Sequence, residues 1–136
     1  MSSKSEALSF DEQPSVEHIM PQDWIPNWRL PDGSKGLTLT ELYEVPESDA
    51  RSRATRKRDA AIQTLGNLTI LSASLNSAQK NYDWTKKCPV MMQYSLLPLN
   101  QGLFVMKIWD ESTISKRGEE LFKRALLIWP RSSIGH

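Results

Sequence analysis

Glu17 and His18 in Ser15-Val16-Glu17-His18-Ile19-Met20-Pro21, Asn67 in Leu65-Gly66-Asn67-Leu68-Thr69-Ile70-Leu71, and then Asn76 are the residues of this chain whose types and spacing suit chemistry. A carboxylate beside an imidazole, answered about fifty residues later by two amides, reads as the scattered halves of one phosphodiester-cutting site.

Local signals supply elements to hold them. Val16 and Ile19 are strand formers and Pro21 cannot donate to a ladder, so the first segment reads as a short strand that stops at Pro21. Neighbours on a regular strand face opposite ways, so Glu17 and His18 share a site only if the chain twists or bends there. In the second segment Gly66 can supply a turn, and Leu68 and Ile70 alternate with Asn67 and Thr69 as in a strand. Ser72 or Ser74 can cap a helix starting near Ala73, which puts Asn76 in its first turn. Free backbone N–H groups and the helix dipole favour a phosphate at such a turn. Lys80, four residues on, lies on the same face and can reach an anion.

A strand with Glu-His, a strand with Asn and a helix with Asn together resemble the ββα-metal core of the HNH, or His-Me finger, nucleases. Nine positions separate Asn67 from Asn76, an interval similar to that in HNH domains of RNA-guided CRISPR nucleases, and Glu17-His18-Ile19 is similar to their Asp-His-Ile. A closer likeness runs from about Ser15 to Pro130. Val-Glu-His-Ile-Met-Pro-Gln, Leu-Gly-Asn-Leu-Thr-Ile-Leu-Ser, Leu75-Asn76, Asn81, an aromatic and Lys86, then Trp109, Ile114, Arg117 and Ile128-Trp129-Pro130 resemble the C-terminal HNH domain of GmrSD-type modification-dependent restriction enzymes. Several motifs in order are more specific than any one alone.

The resemblance implies a role for each residue. His18 is the expected general base, since an imidazole titrates near neutral pH. Glu17 and Asn76 are the expected ligands of one divalent cation, Mg²⁺ or alternatively Mn²⁺, with water and the scissile phosphate completing the octahedron. Asn67 is expected to hold its loop and so aim the histidine. Lys80, Asn81 and Lys86 are expected at the phosphate or backbone of the nucleic acid. Glu17 stands where many HNH sites have Asp, and its longer side chain moves the expected cation position. Taken singly, His18 reads as a surface histidine, Asn67 as a turn residue and Asn76 as a solvent-facing helix position. Their co-occurrence favours a DNA-cutting enzyme of restriction or defence; the alternative is a catalytically degenerate module that binds nucleic acid or a partner.

Arg51, Arg53, Arg56, Lys57 and Arg58 fall within eight residues with no acid among them, although the net charge of the 136-residue chain is only +1. Ser48-Asp49 can cap a helix through this cluster to about Leu65, with Ala54, Ala61, Ile62 and Leu65 as an incomplete apolar stripe. Such a helix, through Arg53, Arg56 and Arg58, could track a DNA backbone, or present an ordinary solvated face. Arg117 reads equally as a structural ion pair or a phosphate contact.

The remainder reads as scaffold. Trp24 and Trp28 pack, a turn-rich Leu30–Gly36 loop leads to a short helix begun at Thr38 or Thr40, and Tyr82, Trp84 and Pro89 mark a loop. Met91 to Leu97 is apolar and of undecided type. Asp110 or Ser112 caps a last helix whose Ile114, Leu121, Phe122, Ala125, Ile128 and Trp129 form a wide buried stripe ended by Pro130. The expected fold is α+β: a small ββα-metal core, a two-stranded antiparallel ribbon plus helix, embedded in a mostly helical single domain over residues 14–131, between a flexible segment 1–13 and a tail 132–136. Cys88 is the only cysteine, so a disulfide or cysteine-based zinc knuckle within the chain is excluded. No apolar run reaches membrane-span length and no signal segment is visible, so a cytoplasmic protein is expected. The family resemblance implies DNA as partner and a separate NTPase or sensor domain or subunit.

Overall fold

Pro14 and Pro21 bracket a strand of four residues, and from there the described chain runs β1 (Ser15–His18), α1 (Leu39–Glu44), α2 (Ala50–Ile62), a 3-10 turn (Leu65–Asn67), β2 (Leu68–Leu71), α3 (Ser77–Lys80), α4 (Trp84–Tyr94), α5 (Gln101–Phe104) and α6 (Glu111–Ile128). The structure is a computed structural model that describes residues 13–96 and 101–128. Residues 1–12 of the expected flexible segment, Trp129 and Pro130 of the last helix and the expected tail lie outside the described residues. The fold is α+β, with a two-stranded antiparallel ribbon among helices. The chain forms two compact units, Met1–Trp28 with Leu68–Lys107 and Arg29–Asn67 with Ile108–His136.

In the first unit β1 pairs with β2, Ser15 opposite Leu71, Val16 opposite Ile70, Glu17 opposite Thr69 and His18 opposite Leu68. The ribbon inverts the usual polarity. Glu17 and Thr69 are 5% and 2% exposed, whereas the outward pair Val16 and Ile70 is 66% and 37% exposed. Antiparallel ribbons with one covered face normally turn their apolar side chains inward; here a carboxylate and a hydroxyl are covered beside Leu71.

Beyond β2 the helix begins later than the sequence suggested. Its N-cap is Asn76, not Ser72 or Ser74, because Asn76 and Gln79 form a reciprocal capping box: Asn76 Oδ1 accepts from Gln79 N–H at 2.8 Å, and Asn76 N–H donates to Gln79 Oε1 at 3.0 Å. Asp83 then caps α4, accepting from Lys86 N–H at 3.1 Å and Thr85 Oγ at 2.7 Å. Tyr82 lies in the expected loop, but Trp84 and Pro89 are helical, and the helix extends through Met91 to Tyr94. Pro89 lies within α4 despite lacking a donor, because Trp84, Lys87 and Met91 bury one face of the helix. After α4 the chain returns to β2, with Ser72 N–H donating to the Tyr94 carbonyl at 2.7 Å. Trp24, Trp28 and Trp84 are buried, and the rings of Trp28 and Trp84 meet at 6.3 Å, tilted by 50°. Such a pair contributes about 1 kcal/mol beyond the area it buries.

In the second unit Thr38 and Glu41 box the start of α1, and Asp49 caps α2 through Ser52 N–H at 2.9 Å. Helix α2 ends at Ile62. Its buried face is Ser52, Thr55, Arg58 and Ile62, so of the expected apolar stripe only Ile62 is fully covered, and Leu65 is 56% exposed. Gly66 serves close approach more than turn geometry: a Cβ there would stand 1.9 Å from the Ile114 carbonyl oxygen of α6. The expected wide stripe of α6 is also corrected. Only Ile114 is buried, while Phe122 and Ile128 are 61% and 65% exposed.

Candidate active site

Glu17, His18, Lys80 and Asn81 open on one cleft of about 270 Å³, together with Val16, Pro21, Gln22, Asp23 and Lys87. Strand neighbours face opposite ways, yet the buried Glu17 and the half-buried His18, at the end of β1, both line this cleft. Glu17 is oriented by a short relay. Ser15 Oγ donates to Glu17 Oε2 at 2.7 Å, and Ser74 Oγ donates to Ser15 Oγ at 3.1 Å, which ties the carboxylate to the loop that leads into Asn76.

Lys87 is the member of this cleft that the sequence did not single out. Its neighbour Lys86, the expected contact, is exposed on α4, whereas Lys87 is 1% exposed and donates Nζ to the carbonyls of His18 at 2.8 Å and Lys80 at 2.7 Å. Desolvation pulls its pKa down to about 7, against an upward pull from Glu17, and Lys80 adds to the lowering. The helical register of Trp84, Lys87 and Met91 would have revealed it, had Pro89 not been read as a breaker.

The other expected residues are distributed as follows. Asn76 is exposed at the cap of α3, its amide engaged with Gln79. Asn81 is anchored through its main chain, whose carbonyl accepts from Asn27 Nδ2 at 2.7 Å. Asn67 is fully buried; its Nδ2 donates to the Ile62 carbonyl at 3.1 Å and its Oδ1 accepts from Trp109 Nε1 at 3.0 Å. It therefore holds the 3-10 turn that immediately precedes β2. Arg53 and Arg56 are exposed on α2. Arg58 departs from the expected DNA contact: it is 1% exposed, pairs with Glu111 Oε1 at 2.8 Å and donates to the Arg29 carbonyl. Arg117 donates to the Gly66 carbonyl at 3.0 Å, and burial lowers its pKa.

The donor set limits what cation could bind. No group of three or more His, Cys, Asp or Glu side chains converges among the described residues, so the cleft offers hard oxygens sparsely, through Glu17 and the nearby Asp23. That fits a cation such as Mg²⁺, which keeps several waters, and does not fit a closed zinc site.

In chain order the described residues give a strand that carries Glu17 and His18, a 3-10 turn that ends at Asn67, a second strand and a helix capped by Asn76. The family model for the C-terminal domain of GmrSD restriction endonucleases matches residues 1–124. The chain belongs to this family. No curated protein and no solved structure matches it. Membership among the GmrSD C-terminal domains suggests a restriction-type endonuclease with DNA as substrate. Among the described residues of this GmrSD-family chain, no helix is long and apolar enough to cross a membrane.

Proposed function

We propose that this chain is a metal-dependent endonuclease that hydrolyses DNA phosphodiester bonds by an HNH-type mechanism, in restriction or defence against foreign or modified DNA. The observation that carries the reading is the shared cleft of Glu17 and His18, walled by Lys80 and Asn81. His18 takes the proton of the attacking water as general base. Lys80 and Asn81 hold the scissile phosphate by charge and hydrogen bond, and so keep the reacting atoms in line. Asn67 positions the segment leading into β2, whose Leu68 is the register partner of His18.

Glu17 from the cleft and, as the family resemblance implies, Asn76, which caps α3 outside the residues that line the cleft, would hold one divalent cation, Mg²⁺ or Mn²⁺, which when bound stabilises the charge that develops on the phosphate. Ser15 supports this by fixing one oxygen of Glu17. Exposed Arg53 and Arg56 on α2 fit contacts to the DNA backbone, and the implied partner besides DNA is an NTPase or sensor domain or subunit. The test is supercoiled plasmid incubated with the protein and Mg²⁺, Mn²⁺ or a chelator. Nicking with either ion and none with chelator is expected; DNA binding without cutting under every condition would assign the chain to a degenerate binding module instead.

A further inference from the structure

Lysine is rarely buried unless its amino group is satisfied. At Lys87 the satisfaction is specific: the amino group donates to two main-chain carbonyls, at 2.8 and 2.7 Å, from residues that end their elements. His18 is the last residue of β1 and Lys80 the last of α3. A carbonyl at a helix end has no acceptor role within the helix, so a donor from outside completes it. The same two residues, His18 and Lys80, line the cleft.

We infer that Lys87 is a positioning residue for the cleft: by bridging the carbonyls of His18 and Lys80, its amino group sets the distance between the strand that carries the imidazole and the helix end that carries the cleft lysine. Two N–H donors are enough for the two carbonyls, so the bridge holds whether the amine is charged or neutral. Lys87 does not touch substrate, being 1% exposed, and its exposed neighbour Lys86 cannot replace it. What the positioned groups accomplish rests on the endonuclease reading; the bridge itself does not.

The chain holds two histidines, His18 and His136, so imidazole NMR signals report His18 directly. In Lys87→Met the His18 signals move or broaden while those of His136 stay. In plasmid nicking with Mg²⁺ the same variant loses roughly 100-fold in kcat, the scale of a misplaced catalytic group, with KM held within about threefold. Lys87→Arg, which keeps donors for both carbonyls, returns His18 toward its native signals and recovers part of kcat. A folded Lys87→Met with native His18 signals, or with kcat within about twofold of the native chain, would overturn the inference. Should Lys87→Met not fold, Lys87→Gln, which retains a donor, is read by the same two outcomes. If the native chain cuts no plasmid, the endonuclease reading fails, while the His18 signals still decide the positioning.

Discussion

Trp109 donates its indole N–H to Asn67 Oδ1 at 3.0 Å, and the same amide donates to the Ile62 carbonyl at 3.1 Å. An asparagine whose two ends are both committed, with 0% exposure, acts on its surroundings as a fixed strut. The motif residue most easily mistaken for a turn asparagine thus has a specific structural duty.

Asn67→Ala removes a donor and an acceptor at once and leaves the Ile62 carbonyl and the Trp109 N–H without these partners. Denaturant unfolding should show a loss of about 2–4 kcal/mol, the cost of buried polar groups left unmade. A loss below about 0.5 kcal/mol, as for an ordinary surface site, would contradict the strut.

Neighbouring arginines on α2 should behave differently. Neutralising exposed Arg53 and Arg56 as Gln is expected to leave the melting temperature nearly unchanged and to reduce the slope of log affinity for DNA against log salt by roughly 1–2. Arg58→Ala instead strands Glu111, and should cost about 3–5 kcal/mol in denaturant unfolding. An unchanged salt slope in the double variant would remove α2 from the DNA interface, and a stable Arg58→Ala would contradict the buried pair.

Burial lowers the Lys87 pKa to about 7 from its ordinary 10.5. Between those values the unfolded chain holds a proton at this residue that the folded chain has released, so stability gained from Lys87 rises with pH across the window. Below it both states are protonated, and the folded state bears the full cost of a buried charge. The difference in unfolding free energy between the native chain and Lys87→Met, followed by denaturant titration, should therefore change in favour of the native chain from pH 7 toward pH 10, by up to about 1.4 kcal/mol per pH unit. A difference independent of pH would show that this lysine titrates as if exposed.

The parts legible from sequence are those written in adjacent residues. Prolines bracket β1, alternation marks β2, the pairs Thr38 or Thr40 and Ser48-Asp49 announce helices that Thr38 and Asp49 cap, and the ordered motifs carry the family. What escaped depends on long-range packing. Arg58 looks like its neighbours until Glu111, 53 positions on, turns it inward. Lys87 is indistinguishable from Lys86 without the helical register that Pro89 obscures. The exposure of Phe122 and Ile128 defeats a periodicity argument outright: an apolar stripe on α6 predicts a buried face, and the structure leaves its second half open. Even the ribbon, correct in pairing, buries its carboxylate and exposes Val16.

The central claim is that the imidazole of His18 does chemistry in the cleft that Glu17 also lines. Nicking of supercoiled plasmid in Mg²⁺ by the native chain and by His18→Ala, prepared in parallel, tests it most directly. The account predicts metal-dependent nicking by the native chain and a fall of about 10²–10⁴-fold in the variant, the usual contribution of a general base. Equal rates for the two proteins, or no cutting by the native chain with either Mg²⁺ or Mn²⁺, would contradict it.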